Sequence, residues 1–160
     1  FSFKMKKIIS LWAALFAFFA VSSFLSAAQD SLNAFADGIL GDYEVSHQGE
    51  CSKVRITKEN DGTYTVRVFW VQDRLDKKGN VRLDDKNPDK SLRNVECDNI
   101  VIVTGLKYDA EKQKWGDAKI YDPTRGIKAN VVCEFRPDGL LRVKGSLLGF
   151  SQSVYWKKLQ

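Results

Sequence analysis

The chemistry-bearing residues of this chain are few and scattered. His47 is the only histidine, beside Gln48-Gly49 at the end of an alternating apolar stretch. There an imidazole reads as a solvated turn residue. With no second histidine and no His-Cys or His-Glu helical pair, no metal site is expected. Cys51, Cys97 and Cys133 lack the Cys-x-x-Cys spacing of zinc and redox sites. Three thiols allow three single bridges, each leaving one cysteine over, and spacing does not choose among them. Asp84, Asp85, Asn87 and Asp89 gather oxygen ligands at close spacing, but the glycine turn and bidentate glutamate of a calcium loop are missing at the required offsets. A solvated turn at Asn87-Pro88 is the better reading. Asp122 precedes Pro123, so its carboxylate can accept from the backbone N–H of Thr124 or Arg125. No cofactor motif is present, and no nucleophile stands beside a base.

The elements that position these residues are strands. Tyr43 and Val45 open a period-two pattern. Val54 and Ile56 alternate with Lys53, Arg55 and Thr57, and Asn60-Asp61-Gly62 marks a hairpin. Tyr64, Val66, Val68 and Trp70 continue the alternation. The 73–99 stretch, rich in charge and turn residues, breaks it; a loop of that length in a compact domain is functional or mobile. A short strand around Val81 to Leu83 is expected inside it. The meander resumes at Ile100–Leu106 and Trp115–Tyr121, turns at Asp122-Pro123-Thr124-Arg125-Gly126, and runs through Ile127–Phe135. It turns again at Arg136-Pro137-Asp138-Gly139 and ends with Leu141, Val143, Val154 and Trp156. This predicts an all-β domain of about eight antiparallel strands. An up-and-down barrel is preferred over a sandwich because closure leaves no exposed edges. Gly116 and Ala118, on one face with Ile120, are expected to leave interior volume unless large neighbours fill it.

Ahead of the strands, Met5-Lys6-Lys7, an apolar run from Ile8 to Leu25 and the small residues Ser26-Ala27-Ala28 form the pattern of a cleaved signal peptide over 1–28. Met5 is the expected initiator. Cleavage after Ala28 is preferred over cleavage after Ala36. The remainder divides into an N-terminal segment, 29–40, with the apolar spacing of a short helix, and a barrel domain, 41–160. Export to the periplasm or the extracellular space is expected, with no membrane span after cleavage. The whole chain holds 25 Lys and Arg against 20 Asp and Glu, a net charge of +5. The leader carries Lys4, Lys6 and Lys7 and no acid, so without it 22 bases face 20 acids, a net of +2. The charges are interspersed, which argues against a nucleic-acid partner. The 132 residues after position 28 suffice for one domain that buries roughly two thirds of its unfolded surface without disulfides.

Several of these residues resemble a family of small exported bacterial proteins, domain of unknown function 2147. The likeness begins at Ala36-Asp37-Gly38-Ile39-Leu40-Gly41-Asp42-Tyr43. It continues through Phe69-Trp70, Gly79, Asp84, Asn87-Pro88-Asp89 and Leu92-Arg93. It is strongest at Trp115-Gly116 through Ile120-Tyr121-Asp122-Pro123 and Gly126, and it ends at Gly145 and Trp156-Lys157-Lys158. The departures are Gly38 for proline, Tyr43 for tryptophan, Ala118 for glycine and Lys158 for arginine. The opening Gly41-Asp42-Tyr43 with the late Trp156 and Lys158 also resembles lipocalin-like (calycin) barrels, which implies that Tyr43, Trp156 and Lys158 close one barrel end.

Three functions follow from this reading. The first is a binding module holding a small apolar, amphipathic or lipid-like ligand in the barrel mouth. Its expected contacts are Trp70, Asp84, Asn87, Arg93, Trp115, Tyr121 and Asp122. The second is a cell-envelope interaction or structural protein with a filled barrel. The third, resting on the least, is an enzyme using Asp84 or Asp122 as acid or base near Arg93. No catalytic residues are assigned, and small barrels occur both hollow and filled.

Overall fold

A computed structural model describes residues 32–160. The expected signal peptide, 1–28, and residues 29–31 lie outside the described residues. Of the N-terminal segment, residues 32–34 are helical, and a 3-10 turn follows at Ala36–Ile39.

Eight strands form the domain: β1 (Gly41–His47), β2 (Glu50–Lys58), β3 (Tyr64–Val71), β4 (Val101–Asp109), β5 (Lys114–Asp122), β6 (Ile127–Phe135), β7 (Leu141–Leu147) and β8 (Phe150–Lys158). Each pairs with the next in antiparallel fashion, and β8 pairs back onto β1, closing an up-and-down barrel. Two connections are two-residue turns, Gln48-Gly49 (φ 52° and 82°) and Leu148-Gly149 (φ 50° and 82°). Two successive positive φ values match the right-handed strand twist, which is why glycine takes the second position. Because the strands alternate in direction, the 48–49 turn, the 72–100 connection, the Pro123–Gly126 turn and the 148–149 turn all lie at one end, the mouth.

Inside, the barrel is divided by height. Near the opposite end Tyr43, Tyr64, Leu106, Trp115, Phe135 and Leu141 are all 3% exposed or less. Trp115 packs against Tyr108 and Phe135 with ring centres 5.1 and 5.9 Å away, and Tyr43 lies 6.2 Å from Trp156. Burying such a side chain contributes about 2–3 kcal/mol, so this half is a solid core. The 32–40 segment caps it. Ile39 is fully buried. Its carbonyl accepts from the Tyr43 hydroxyl at 2.7 Å, and the Ala36 carbonyl accepts from the Trp115 indole at 2.8 Å. Asn33 bridges the backbone N–H and C=O of Phe135 at 2.8 and 3.0 Å, and the Tyr64 hydroxyl donates to Asp37 at 2.6 Å.

Candidate ligand-binding cavity

Above the solid half the barrel is hollow. A cavity of about 600 Å³ opens there, within the range of small-molecule pockets. Its wall is aliphatic, with Val45, Val54, Val68, Ile102, Val143 and Val154 prominent, and Trp156 lies at its deep end. The volume exists because the inner face is small where β5, β6 and β7 meet. Ala129 stands opposite Ile120, and a side chain on Gly145 would meet Ala129 Cβ at 3.7 Å and Ile120 Cγ2 at 3.8 Å. The rim is polar, with His47, Glu50, Gln72, Asp73, Arg82, Asp122, Thr124 and Arg125. A more polar recess of about 740 Å³ adjoins it beneath the loop, lined by Asp76, Asn80 and Lys86 among others.

Two bulges relocate expected residues. Ser52 pairs with Val71 and Lys53 with Trp70, but Val54 pairs with Val68, so β3 carries an extra residue at Phe69. The bulge reverses the alternation. Val71 turns to the cavity, and Trp70, expected to face the ligand, stands 40% exposed on the outer wall with the Lys53 ammonium 5.0 Å from its ring. In β5, Trp115 pairs with Cys133 and Ala118 with Val131, and the extra residue is accommodated at Asp117 (φ 55°). Trp115, Ala118 and Ile120 therefore share the inner face, and Gly116, opposite Lys107, does not. Trp115 is inward but fully buried in the solid half, outside the cavity lining.

The other expected contacts fall into two groups. Asp84 and Asn87 are 3% and 4% exposed. Asp84 accepts from the Tyr121 hydroxyl at 2.6 Å and from the Asn87 amide at 2.7 Å, and the Asn87 carbonyl accepts from Arg93 Nε at 2.8 Å. Tyr121 stands at the cavity edge but pairs with Lys128, alternating with the inward Ile120–Ala129 pair. Its hydroxyl therefore anchors the loop. Burial, then the bond to Asp84, pushes the Tyr121 phenol above its usual range. Asp122 is separate. It accepts from Thr124 N–H at 2.9 Å, from the Thr124 hydroxyl at 2.5 Å and from Arg125 Nε at 2.7 Å. Burial opposes its ionisation, but these bonds outweigh burial and hold the carboxyl below its usual range. Its side-chain bonds cap the turn rather than reach Arg93 or Asn87, and it stands on the cavity rim. The loop contains no strand at Val81–Leu83; single bridges, Leu75 to Val81 and Leu83 to Glu96, pin it instead.

At the closed end the structure brings Tyr43, Trp156 and Lys158 together. Lys158 Nζ sits 5.8 Å from the Tyr43 ring centre and 6.0 Å from that of Phe135, donating to the Gly38 carbonyl at 3.0 Å. Burial holds its ammonium below the usual lysine range. Cys51, Cys97 and Cys133 are unbridged. Burial pushes the Cys133 thiol up to about 12. Among the described residues no cluster of His, Cys, Asp and Glu is arranged to hold a metal, and no helix is long and apolar enough to cross a membrane.

Sequence reasoning missed the aliphatic wall, although a signal for it exists. The bulky inward residues sit near the starts of β1, β3, β5 and β7 (Tyr43, Tyr64, Trp115, Leu141) and toward the ends of β4, β6 and β8 (Leu106, Phe135, Trp156). In an up-and-down barrel all these positions fall at one end. The mouth half keeps Val, Ile, Ala and Gly.

The fold is that of a lipocalin-like barrel. The chain is similar to the Helicobacter pylori protein HP1028, described as belonging to the lipocalin family, with a TM-score of 0.60 and 22% identity over 76% of this chain and 83% of that one. Residues 41–158 match the family described as an uncharacterized protein conserved in bacteria, DUF2147, and the chain belongs to that family. No curated protein matches it.

Proposed function

We propose that this protein is an exported carrier or sensor that holds a small apolar or amphipathic molecule in the mouth half of its barrel. The observation that carries this reading is the aliphatic cavity of about 600 Å³ above a fully packed floor. Empty apolar volume of that size forfeits dispersion contacts that an occupant restores. The docked 73–99 loop and the turns at the mouth frame the entrance. The carboxylates that an enzyme would use are engaged in holding the loop and the Asp122 turn.

Native mass spectrometry of protein purified from its own compartment tests the proposal. A co-purifying small molecule is expected, and it should be lost in Ala129→Phe, which fills the inner face beside Ile120. A wild-type protein that carries nothing and takes up no apolar probe overturns it. A second reading, an envelope interaction protein, is favoured by the apolar lip of the mouth, where Leu148 and Phe150 are 89% and 82% exposed.

A further inference from the structure

The apolar lip of the mouth is built differently from the other hairpin tips. The β1–β2 turn is Gln48-Gly49, and the β2–β3, β4–β5 and β6–β7 turns carry Asp61, Lys112 and Asp138. The β7–β8 turn is Leu148-Gly149, and no charged side chain occurs from Gly145 to Trp156. Leu148 and Phe150, 89% and 82% exposed, are the two most exposed large apolar side chains among the described residues. Leu148 also holds a φ of 50°, a left-handed conformation that asparagine or glycine adopts with less strain. The barrel therefore gains neither packing nor turn geometry from a leucine there.

The lip continues the cavity. Leu147, Leu148, Phe150, Gln152 and Val154 all line it. The wall is also lowest beside them. β1 pairs with β8 from Tyr43–Lys158 to Val45–Trp156 and ends at His47, so Phe150 to Ser153 rise beyond the end of β1. Behind the lip, on the outer face, stand Lys119, Lys128 and Lys144, alternating with the inward Ile120, Ala129 and Val143. Lys119 pairs with Asn130, which pairs with Ser146, and Lys144 pairs with Ser153. The neighbouring Lys114, Arg125 and Arg142 are held by Glu134 and Asp122. Lys119, Lys128 and Lys144 enter no ion pair among the described residues. Asp89 feels Lys128 through space, but its carboxylate is engaged by Ser91.

We infer that the β7–β8 hairpin docks the mouth of the barrel onto an anionic lipid bilayer, with Leu148 and Phe150 at the acyl boundary and the three lysines among the headgroups. This deepens the proposed carrier function and rests on it: a sparingly soluble ligand passes between bilayer and cavity along the inner face of the hairpin. Interfacial binding strength follows buried apolar area plus attraction to anionic lipid, and the hairpin supplies both from one side of the molecule. Size decides against a protein partner. Specific interfaces bury about 800 Å² on each side, which the tip of one two-residue hairpin does not offer.

Co-sedimentation with vesicles of the protein isolated from its own cells tests this. It should partition about tenfold more tightly onto phosphatidylcholine vesicles containing roughly one third phosphatidylglycerol than onto phosphatidylcholine alone, and high salt should remove the difference. Leu148→Asn with Phe150→Thr should weaken partition onto the anionic vesicles about tenfold or more. The melting temperature should not fall, because asparagine suits the turn. Lys119→Gln with Lys144→Gln should erase most of the preference for anionic vesicles. Both double variants should take up Nile red in solution as the wild-type protein does. Absence of partition, equal partition onto the two vesicle types, or partition that survives in the Leu148/Phe150 variant overturns the inference, while Nile red uptake keeps the carrier function standing. A dimer in sedimentation velocity that the same variant dissolves also overturns it and assigns the lip to contact between two copies. If the wild-type protein takes up no Nile red, the carrier function falls and this inference with it.

Discussion

Asp84 and Asp122 stand close in the mouth region and look equivalent in sequence, yet their partners give them different work. Asp84 is buried against Tyr121 and Asn87. Tyr121→Phe removes a donor from a buried carboxylate, which should cost about 1–3 kcal/mol, read as a lowered denaturant midpoint. Asp84→Ala should also speed proteolysis between Asp73 and Asn99. Asp122→Asn keeps an acceptor for the Thr124 N–H, and the Asp122 side chain bonds only Thr124 and Arg125, so loop cleavage should stay at the wild-type rate; faster cleavage would make Asp122 part of the loop anchor. Trp156→Ala should cost about 3–5 kcal/mol, the range for a buried tryptophan. A variant that melts like wild type would show that the ring is not part of the packed end. The Asp122 cap was legible in the sequence because an Asx turn is local. The Tyr121–Asp84 pair was not, since it joins residues 37 apart through the docking of a loop.

At the scale of elements, period-two alternation made the strands legible, and the turn residues placed most of their ends. What it could not place was side-chain direction beyond a bulge. An extra residue at Phe69 and another at Asp117 each reverse the alternation, so Trp70 and Gly116 were assigned to the wrong face while Val71 was overlooked. Bulges arise from how two strands pair, and neither sequence carries a separate mark for them. The loop's docking depends on one close approach. Gly126 has φ 68°, and a Cβ there would lie 2.4 Å from the Lys86 carbonyl oxygen. Gly126→Ala should therefore displace the loop from the Pro123–Gly126 turn, raising its cleavage rate at least as much as Asp84→Ala does. An unchanged rate would mean that the loop is held without that contact. The N-terminal segment gives an expectation of the same kind. Asn33 and Ala36 bind Phe135 and Trp115, so a mature chain starting at Gln29 keeps the cap and one starting at Asp37 loses it. Intact mass of the protein isolated from its own cells distinguishes the two.

Across the whole molecule, the solid half, its cap and the docked loop tie stability to pH through buried tyrosines. Tyr43, Tyr64 and Tyr121 all have phenols pushed above their usual value of 10.0, each chiefly by burial, with bonds to Asp37 and Asp84 adding to the shift of the latter two. A group whose folded pKa is raised contributes stability that is fully present below its unfolded pKa and lost as pH rises through the folded value. The barrel should thus hold its melting temperature up to about pH 10 and lose it steeply above. Lys158 acts in the opposite sense: burial lowers its folded pKa, so its contribution improves as pH rises toward 10.5, but it is one group against three. On the acid side Asp122 and Glu134 have lowered values, so what they contribute is present above the ordinary carboxylate range and lost as pH falls through those lowered values. Phenolate absorbance near 295 nm, followed with melting temperature from pH 8 to 12, checks the alkaline arm. Of the five tyrosines, these three should ionise only as the barrel unfolds, in one cooperative step. Ionisation of all five near pH 10 with the fold intact would mean that water reaches the phenols at both ends of the barrel, and that neither the cap nor the loop closes it.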